Sequence, residues 1–198
     1  MIIMLNRIKL LKELEKYPVF TTNIVSGITK KEKPYTRLII HRLKKAGLIY
    51  ELERDRYTLH YDPLLVASRI LWPCYISSWA AIRYYNLTEQ LPTGIEVVTT
   101  RPKEKRKMKF ANATIRFSRI KKDNFFGFGK VPFGGFEIFM AEKEKALADA
   151  LYLRQMTFQT FLEIVNEHRK EINIRKLASY LKKMKLPGIV LKMKEAGL

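Results

Sequence analysis

Arg37, His41, Lys44 and Lys45 recur at spacings of three and four residues, which at 100° per residue puts them on one side of a helix. The chemistry open to such a face is recognition of polyanions, because each phosphate that a cation neutralises releases condensed counterions. A helix over 34–46 must carry them, with Pro34 fitting its first turn and Gly47 following its last turn. Thr36, Ile39, Ile40, Leu43 and Ala46 form the apolar stripe on its other side. Upstream, 21–28 has the length of a short supporting helix, with Thr21 or Thr22 as its cap, and 29–33 reads as the turn between the two. Downstream, Leu48, Tyr50 and Leu52 alternate with their neighbours, as do Tyr57, Leu59 and Tyr61 after a turn at 53–56. That spacing predicts a β-hairpin wing with Arg54 and Arg56 at its tip. A further helix over 3–16, ending before Pro18, is expected to pack Met4, Ile8, Leu11 and Leu14 behind the others. The stretch 19–61 therefore reads as a winged helix-turn-helix that contacts DNA through Lys33, Tyr35, Thr36, Arg37, His41, Lys44, Lys45, Arg54 and Arg56. The plainer alternative is a helical hairpin with a solvated basic face.

Residues suited to catalysis or metal binding are sparse. His41, His60 and His168 are far apart, no His or Cys pair has metal-ligand spacing, and Cys74 stands alone, so no metal, cofactor or disulfide is expected. Gly127-x-Gly129-Lys130 lacks the full phosphate-loop spacing and reads as a hairpin. Glu137, Glu142, Glu144 and Asp149 are candidate carboxylates, but Glu142 and Glu144, two apart on one helix, are expected to cap and solvate rather than share a site. Ser77 and Ser78 have no nearby base and read as caps of a helix over 77–85. Neither catalytic residues nor an enzymatic activity are expected.

The formal net charge is +19 and the isoelectric point is near 10.0, which favours a polyanionic partner. A membrane surface is also anionic, but the apolar run 63–82 is broken by Arg69 and Pro73, and the start of the chain has no small-residue cleavage site. A soluble, cytoplasmic protein without membrane contact is expected, and few glutamines beside many Lys and Glu hint at a thermophilic source. The chain divides in this reading at 61/62 into a DNA-binding domain, 1–61, and a second domain, 62–198. Asp62 and Pro63 would open an apolar helix over 64–71. Strand-like runs at 96–100, 108–111, 114–117, 125–129 and 135–140, followed by helical segments at 142–153, 158–168, 173–184 and 189–196, give an α+β domain with a small antiparallel sheet and several helices. Residues 99–122 hold ten Lys or Arg and one acid, Glu104. Within that run Arg101, Lys103, Lys105, Arg106, Lys107 and Lys109 form a candidate second basic surface.

Three tracts carry a resemblance beyond these patterns: Tyr75-Ile-Ser-Ser-Trp-Ala-Ala-Ile-Arg-Tyr-Tyr-Asn-Leu-Thr-Glu-Gln-Leu-Pro92, Ile95-Glu-Val-Val-Thr-Thr-Arg101 and Ala141-Glu-Lys-Glu-Lys-Ala-Leu-Ala-Asp-Ala-Leu151. Together with the N-terminal module they resemble the AbiEi family of antitoxins across roughly 19–181. The resemblance implies an autorepressor that binds inverted repeats in its own operon promoter. It also implies a second domain that counteracts an AbiEii-like nucleotidyltransferase toxin, as in type IV toxin-antitoxin pairs, without need of a stable complex. Arg37, His41, Lys44 and Lys45 match the family's recognition helix, and Arg54 and Arg56 its wing tip. Two places depart from the pattern: the wing usually has glycine just before its aromatic, where this chain has Asp55-Arg56-Tyr57, and Ala141 stands where a helix-capping serine is common. The resemblance carries over no catalytic set. The competing expectations are a plain transcription factor whose second domain binds a ligand or another copy, and an enzyme acting on nucleic acid or nucleotides.

Overall fold

A computed structural model describes residues 2–92 and 94–198, with side chains for all of these except residues 2–6. The chain falls into two compact units, Met1–Ile70 and Leu71–Leu198.

In the first unit, α1 (Ile2–Leu14), α2 (Thr22–Thr29) and α3 (Lys33–Lys45) precede a hairpin of β1 (Tyr50–Glu53) and β2 (Arg56–Thr58), and α4 (Pro63–Ile70) follows. The unit's core holds Leu10, Leu14, Phe20, Val25, Ile40, Leu43 and Ile49, drawn from all three leading helices and the segments between elements. The stripe on α1 runs through Leu10, Leu11 and Leu14 rather than the expected Ile8, which is exposed. Ile8 sits about a third of a turn around the helix from Leu14, outside that arc. The expected contact of Met4 lies outside the described side chains. Asp62 accepts bonds from the Leu64 and Leu65 amides, at 2.8 and 3.0 Å, and Pro63 begins α4, the cap that the sequence predicts. The division between units follows α4, so this helix ends the first unit instead of opening the second.

The second unit is built on β3 (Cys74–Ser77), β4 (Gly94–Thr99), β5 (Lys107–Phe110), β6 (Ala113–Arg119), β7 (Phe128–Phe133) and β8 (Phe136–Ala141), with α5 (Ser78–Tyr84) after β3 and α6 (Lys143–Tyr152), α7 (Phe158–Glu167), α8 (Ile174–Lys183) and α9 (Pro187–Glu195) after β8. Its strand order is β5-β6-β4-β3-β8-β7. Each of the five strand-like runs read from the sequence overlaps a strand, and β3 is added where the sequence suggested a break between helices. The pairs β3/β4, β5/β6 and β7/β8 are antiparallel, whereas β4/β6 and β3/β8 are parallel. The two hairpins supply their inner strands, β6 and β8, alongside the central pair in the parallel sense, so the sheet is mixed. The α+β expectation is met in its coarse form of helices and a sheet rich in antiparallel pairs. No described helix is long and apolar enough to cross a membrane.

Candidate nucleic-acid interface

Packing decides which side of α3 faces outward. Thr36, Ile40 and Leu43 are buried and Ile39 is partly buried, while Arg37, His41, Lys44 and Lys45 are exposed. The helix ends in a Schellman turn: the Gly47 amide donates to Lys44 O at 2.9 Å and the Leu48 amide to Leu43 O at 3.0 Å. Gly47 takes φ +66° there, a left-handed conformation in which a Cβ costs energy. Ala46, expected in the apolar stripe, is exposed at the cap. The turn throws Ile49, not Leu48 or Tyr50, into the core; Tyr50 and Tyr61 remain exposed, with ring centroids 5.5 Å apart.

Thr36 leaves the set of candidate DNA contacts. It is fully buried, and its hydroxyl donates to Glu32 O at 3.0 Å and Lys31 O at 3.2 Å, so it fastens the first turn of α3 from within. Tyr35 is half exposed, with the Lys31 ammonium 5.8 Å from its ring centroid. Lys33, at the start of α3, is exposed.

The hairpin is fixed to α2 by a contact that the sequence did not suggest. Arg54 and Asp55 form a two-residue turn, and Asp55 adopts φ +59°, a conformation Asp tolerates better than most side chains. Its Oδ1 accepts the Thr22 amide at 3.0 Å and the Thr22 hydroxyl in a shorter bond. Neither expected threonine caps α2 with its own side chain; the carboxylate from the hairpin tip satisfies the helix's free amide. The Thr22 hydroxyl bond holds the Asp55 carboxyl below its ordinary range against the cost of burial, with help from the Thr22 amide and the nearby Arg37 and Arg56. A second tie is the bridge between Phe20 and Tyr57, whose backbones exchange bonds of 2.8 and 2.9 Å. Lys44 pairs with Glu51 across α3 and β1, and the Glu51 bond raises its pKa. Arg56 pairs with Glu53 at 3.0 Å. Among the described residues Lys33, His41, Lys45 and Arg54 have no carboxylate partner within 4.0 Å. One side of this unit thus gathers Arg37, His41 and Lys45 from a single helix face, with Arg54 on the hairpin turn.

The second basic surface straddles a strand edge. Lys107 and Lys109 are exposed on β5, one of the two edge strands, where they oppose Arg116 and Thr114, while Phe110 is buried. Arg101, Lys105 and Arg106 are exposed in the preceding connection, and the Lys103 ammonium lies 4.8 Å from the Phe117 ring centroid.

Of the candidate carboxylates of the second unit, Glu137 is exposed and pairs with Lys130 at 2.8 Å across β7 and β8, while Glu142, Glu144 and Asp149 bond to other elements of the unit. Asp149, Lys145, Tyr75 and Ser77 are all fully buried. Asp149 accepts from Ser77 Oγ at 2.7 Å and Tyr75 Oη at 2.9 Å and forms a short ion pair with Lys145. Burial pushes Asp149 up and Lys145 down, and their mutual attraction opposes both shifts; burial also raises Tyr75. Ser77 occupies the cap position of α5, but its hydroxyl serves Asp149; Ser78 donates to Gln155 at 2.6 Å. Glu96, buried beside Ser77 in the sheet register, accepts from Gln155 and is raised by burial.

Glu142 and Glu144 do converge, contrary to the helical-spacing argument. Lys176 lies 3.0 Å from one and 3.4 Å from the other. Glu142 is the N-cap, in extended backbone, so the angular rule for helical neighbours does not govern it. This also moves the cap one residue past Ala141, the buried last residue of β8. Glu144 is buried rather than solvating and accepts the Asn173 amide at 2.9 Å. Gly129 and Lys130 lie within β7, and the turn to β8 falls later, at Gly134 and Gly135. Gly127 precedes β7 at φ +69°, where a Cβ would meet Tyr180 and Lys145 at 3.0 and 3.2 Å. Among the described residues, no group of three or more His, Cys, Asp or Glu is placed to hold a metal ion. Comparison of the chain with family models gives no match, and comparison with curated proteins gives none.

Proposed function

We propose that this chain is a DNA-binding transcriptional regulator and antitoxin. The first unit acts as a winged helix-turn-helix, with α3 as its recognition helix and β1–β2 as its wing. The observation that carries this reading is the outward face of α3, where Arg37, His41 and Lys45 stand exposed while the hairpin that bears Arg54 is tied to α2 through Asp55. A helix and wing held in fixed relation present cations at defined positions, which register on a duplex requires. Cytoplasmic action and autorepression at inverted repeats belong to the same proposal.

The second unit, in this reading, counteracts a nucleotidyltransferase-like toxin. Support comes from the resemblance to the AbiEi family: its three tracts fall on β3 with α5, on β4 and on α6, elements that pack against one another. The buried bonds of Asp149 to Tyr75 and Ser77 tie two of those tracts together.

The test is fluorescence anisotropy of the full chain on a duplex from its own promoter and on a random duplex, together with growth rescue on co-expression with a neighbouring nucleotidyltransferase-like gene. Preference for the promoter of tenfold or more, with rescue, is the expected result. Equal affinity for both duplexes would refute the operator reading, and absence of rescue the antitoxin reading.

A further inference from the structure

On the flank of α3 that turns toward α1, a groove of about 640 Å³ opens between α1, the end of α2 and α3. That volume falls within the range of small-molecule sites. Its floor is apolar: Leu10 and Leu43 are buried core residues, and Ile28 and Ile39 pack against the same core. Tyr35, half exposed, adds an aromatic wall. Around this floor stand Arg7, Lys9, Lys31 and Arg42, none of which has a carboxylate within ion-pair distance among the described residues. The one acid of the lining, Glu13, is paired to Lys16 at 2.7 Å. Four uncompensated cations around an apolar floor are complementary to a molecule with an apolar body and an anionic head.

We infer that this groove is an effector site for a small anionic amphiphile, an aliphatic or aryl carboxylate, and that its occupation loosens the grip of α3 on DNA. The second half rests on the proposed function. The groove adjoins the DNA face without coinciding with it: Arg42 and Tyr35 stand about 140° and about 160° around α3 from Arg37. Tyr35, expected among the DNA contacts, therefore belongs to the groove wall, while Arg42 lies about 60° from Lys45. Yet α3 supplies Tyr35, Ile39, Arg42 and Leu43 to it. A ligand seated between α1 and α3 that fits one placement of α3 better than another shifts the helix toward that placement, and the coupling is reciprocal. Duplex phosphates, the other anions within reach of this unit, have no use for an apolar floor.

The experiment titrates full-length protein, without DNA, with dodecanoate, dodecanol and dodecyltrimethylammonium below their micellar concentrations, using calorimetry. Saturable binding of one dodecanoate per chain is expected, with the cationic and neutral analogues at least tenfold weaker. A Lys31→Glu/Arg42→Glu variant, altered at two exposed positions and checked for fold by circular dichroism, should lose tenfold or more in dodecanoate affinity. Comparable binding of the cationic analogue, unsaturable uptake, or full affinity in the folded variant would overturn the site. Promoter affinity is then measured with and without saturating dodecanoate, and a fivefold or greater weakening is expected. Unchanged affinity would overturn the control of α3. A protein that takes dodecanoate as expected but binds no promoter would refute the proposed function and leave the site standing, because the first titration contains no DNA.

Discussion

Asp55 does two things at one position: it accepts a left-handed backbone in the hairpin turn and satisfies the first amide of α2. Loss of an N-cap side chain costs about 0.5–2 kcal/mol, and Ala also fits φ +59° poorly, so Asp55→Ala should lower the stability of the first unit by about 1–2 kcal/mol in urea unfolding. Asn tolerates that conformation and still offers an oxygen to the Thr22 amide, so Asp55→Asn should recover most of that loss. The acid limb separates the two. Because the folded pKa lies below the unfolded one, near 3.9, the charged carboxylate stabilises fully above that unfolded value. The contribution then disappears as pH falls through the folded value. Solvent screening at this exposed side chain keeps the effect small, and Asp55→Asn should flatten the pH dependence of stability below about pH 4. In the second unit, Asp149→Ala would strand a fully buried Lys145, and removal of one member of such a pair costs about 3–5 kcal/mol. The double replacement Lys145→Met/Asp149→Leu should recover most of that, read as the unfolding midpoint; a single and a double variant of equal stability would show that the pair is not coupled. Neither contact was legible in the chain order. Thr22 and Asp55 are brought together by the hairpin, and the Asp149 bonds to Tyr75 and Ser77 join distant segments. The one local clue was a lysine and an aspartate four apart in a helix that is otherwise rich in Ala and Leu, without a polar face to hold them.

At the scale of elements, α3 was readable because its signals are local: Pro34 in the first turn, Gly47 beyond the last, and an apolar period between them. β3 was not, since Cys74–Ser77 is four residues long and ends at Ser77, which with Ser78 after it looks like a helix cap. Its strand form comes from pairing with β4 on one side and β8 on the other. The pairing of α3 with the hairpin yields a prediction in each direction. Arg37→Ala should cost about 1–3 kcal/mol on promoter DNA and relax base preference, whereas Lys45→Ala should weaken promoter and random duplexes alike. Equal losses on both duplexes from both variants would remove α3 as the reading element. Glu51→Gln should act oppositely. An exposed pair such as Lys44–Glu51 contributes about 0–1 kcal/mol, so the fold should persist, and release of Lys44 beside phosphates should tighten binding to any duplex by a few fold in anisotropy titrations.

For the molecule as a whole, the formal charge of +19 raises the question of how much of it meets nucleic acid. Six Lys or Arg of the DNA face, Lys33, Arg37, Lys44, Lys45, Arg54 and Arg56, bound the first unit's share. If all six meet phosphates, log affinity should fall against log salt with a slope of about −5. A steeper slope requires cations elsewhere, and Lys105, Arg106, Lys107 and Lys109 are the exposed group that the second unit offers. Charged residues along an edge strand also discourage pairing with another chain, so exposure on β5 alone does not make them contacts. The two roles separate cleanly in a Lys105→Gln/Arg106→Gln/Lys107→Gln/Lys109→Gln variant. Phosphate contacts predict a slope shallower by about 3–4 and an equal loss on promoter and random duplexes, with the ratio between them preserved. Edge protection predicts an unchanged slope and a rise in light scattering with concentration. We expect the first result, because Lys105 precedes β5 and guards no ladder position, and Arg106, also before β5, adds only its carbonyl bond to the Phe117 amide. A variant that aggregates but keeps its salt slope would confine DNA binding to α3 and its hairpin.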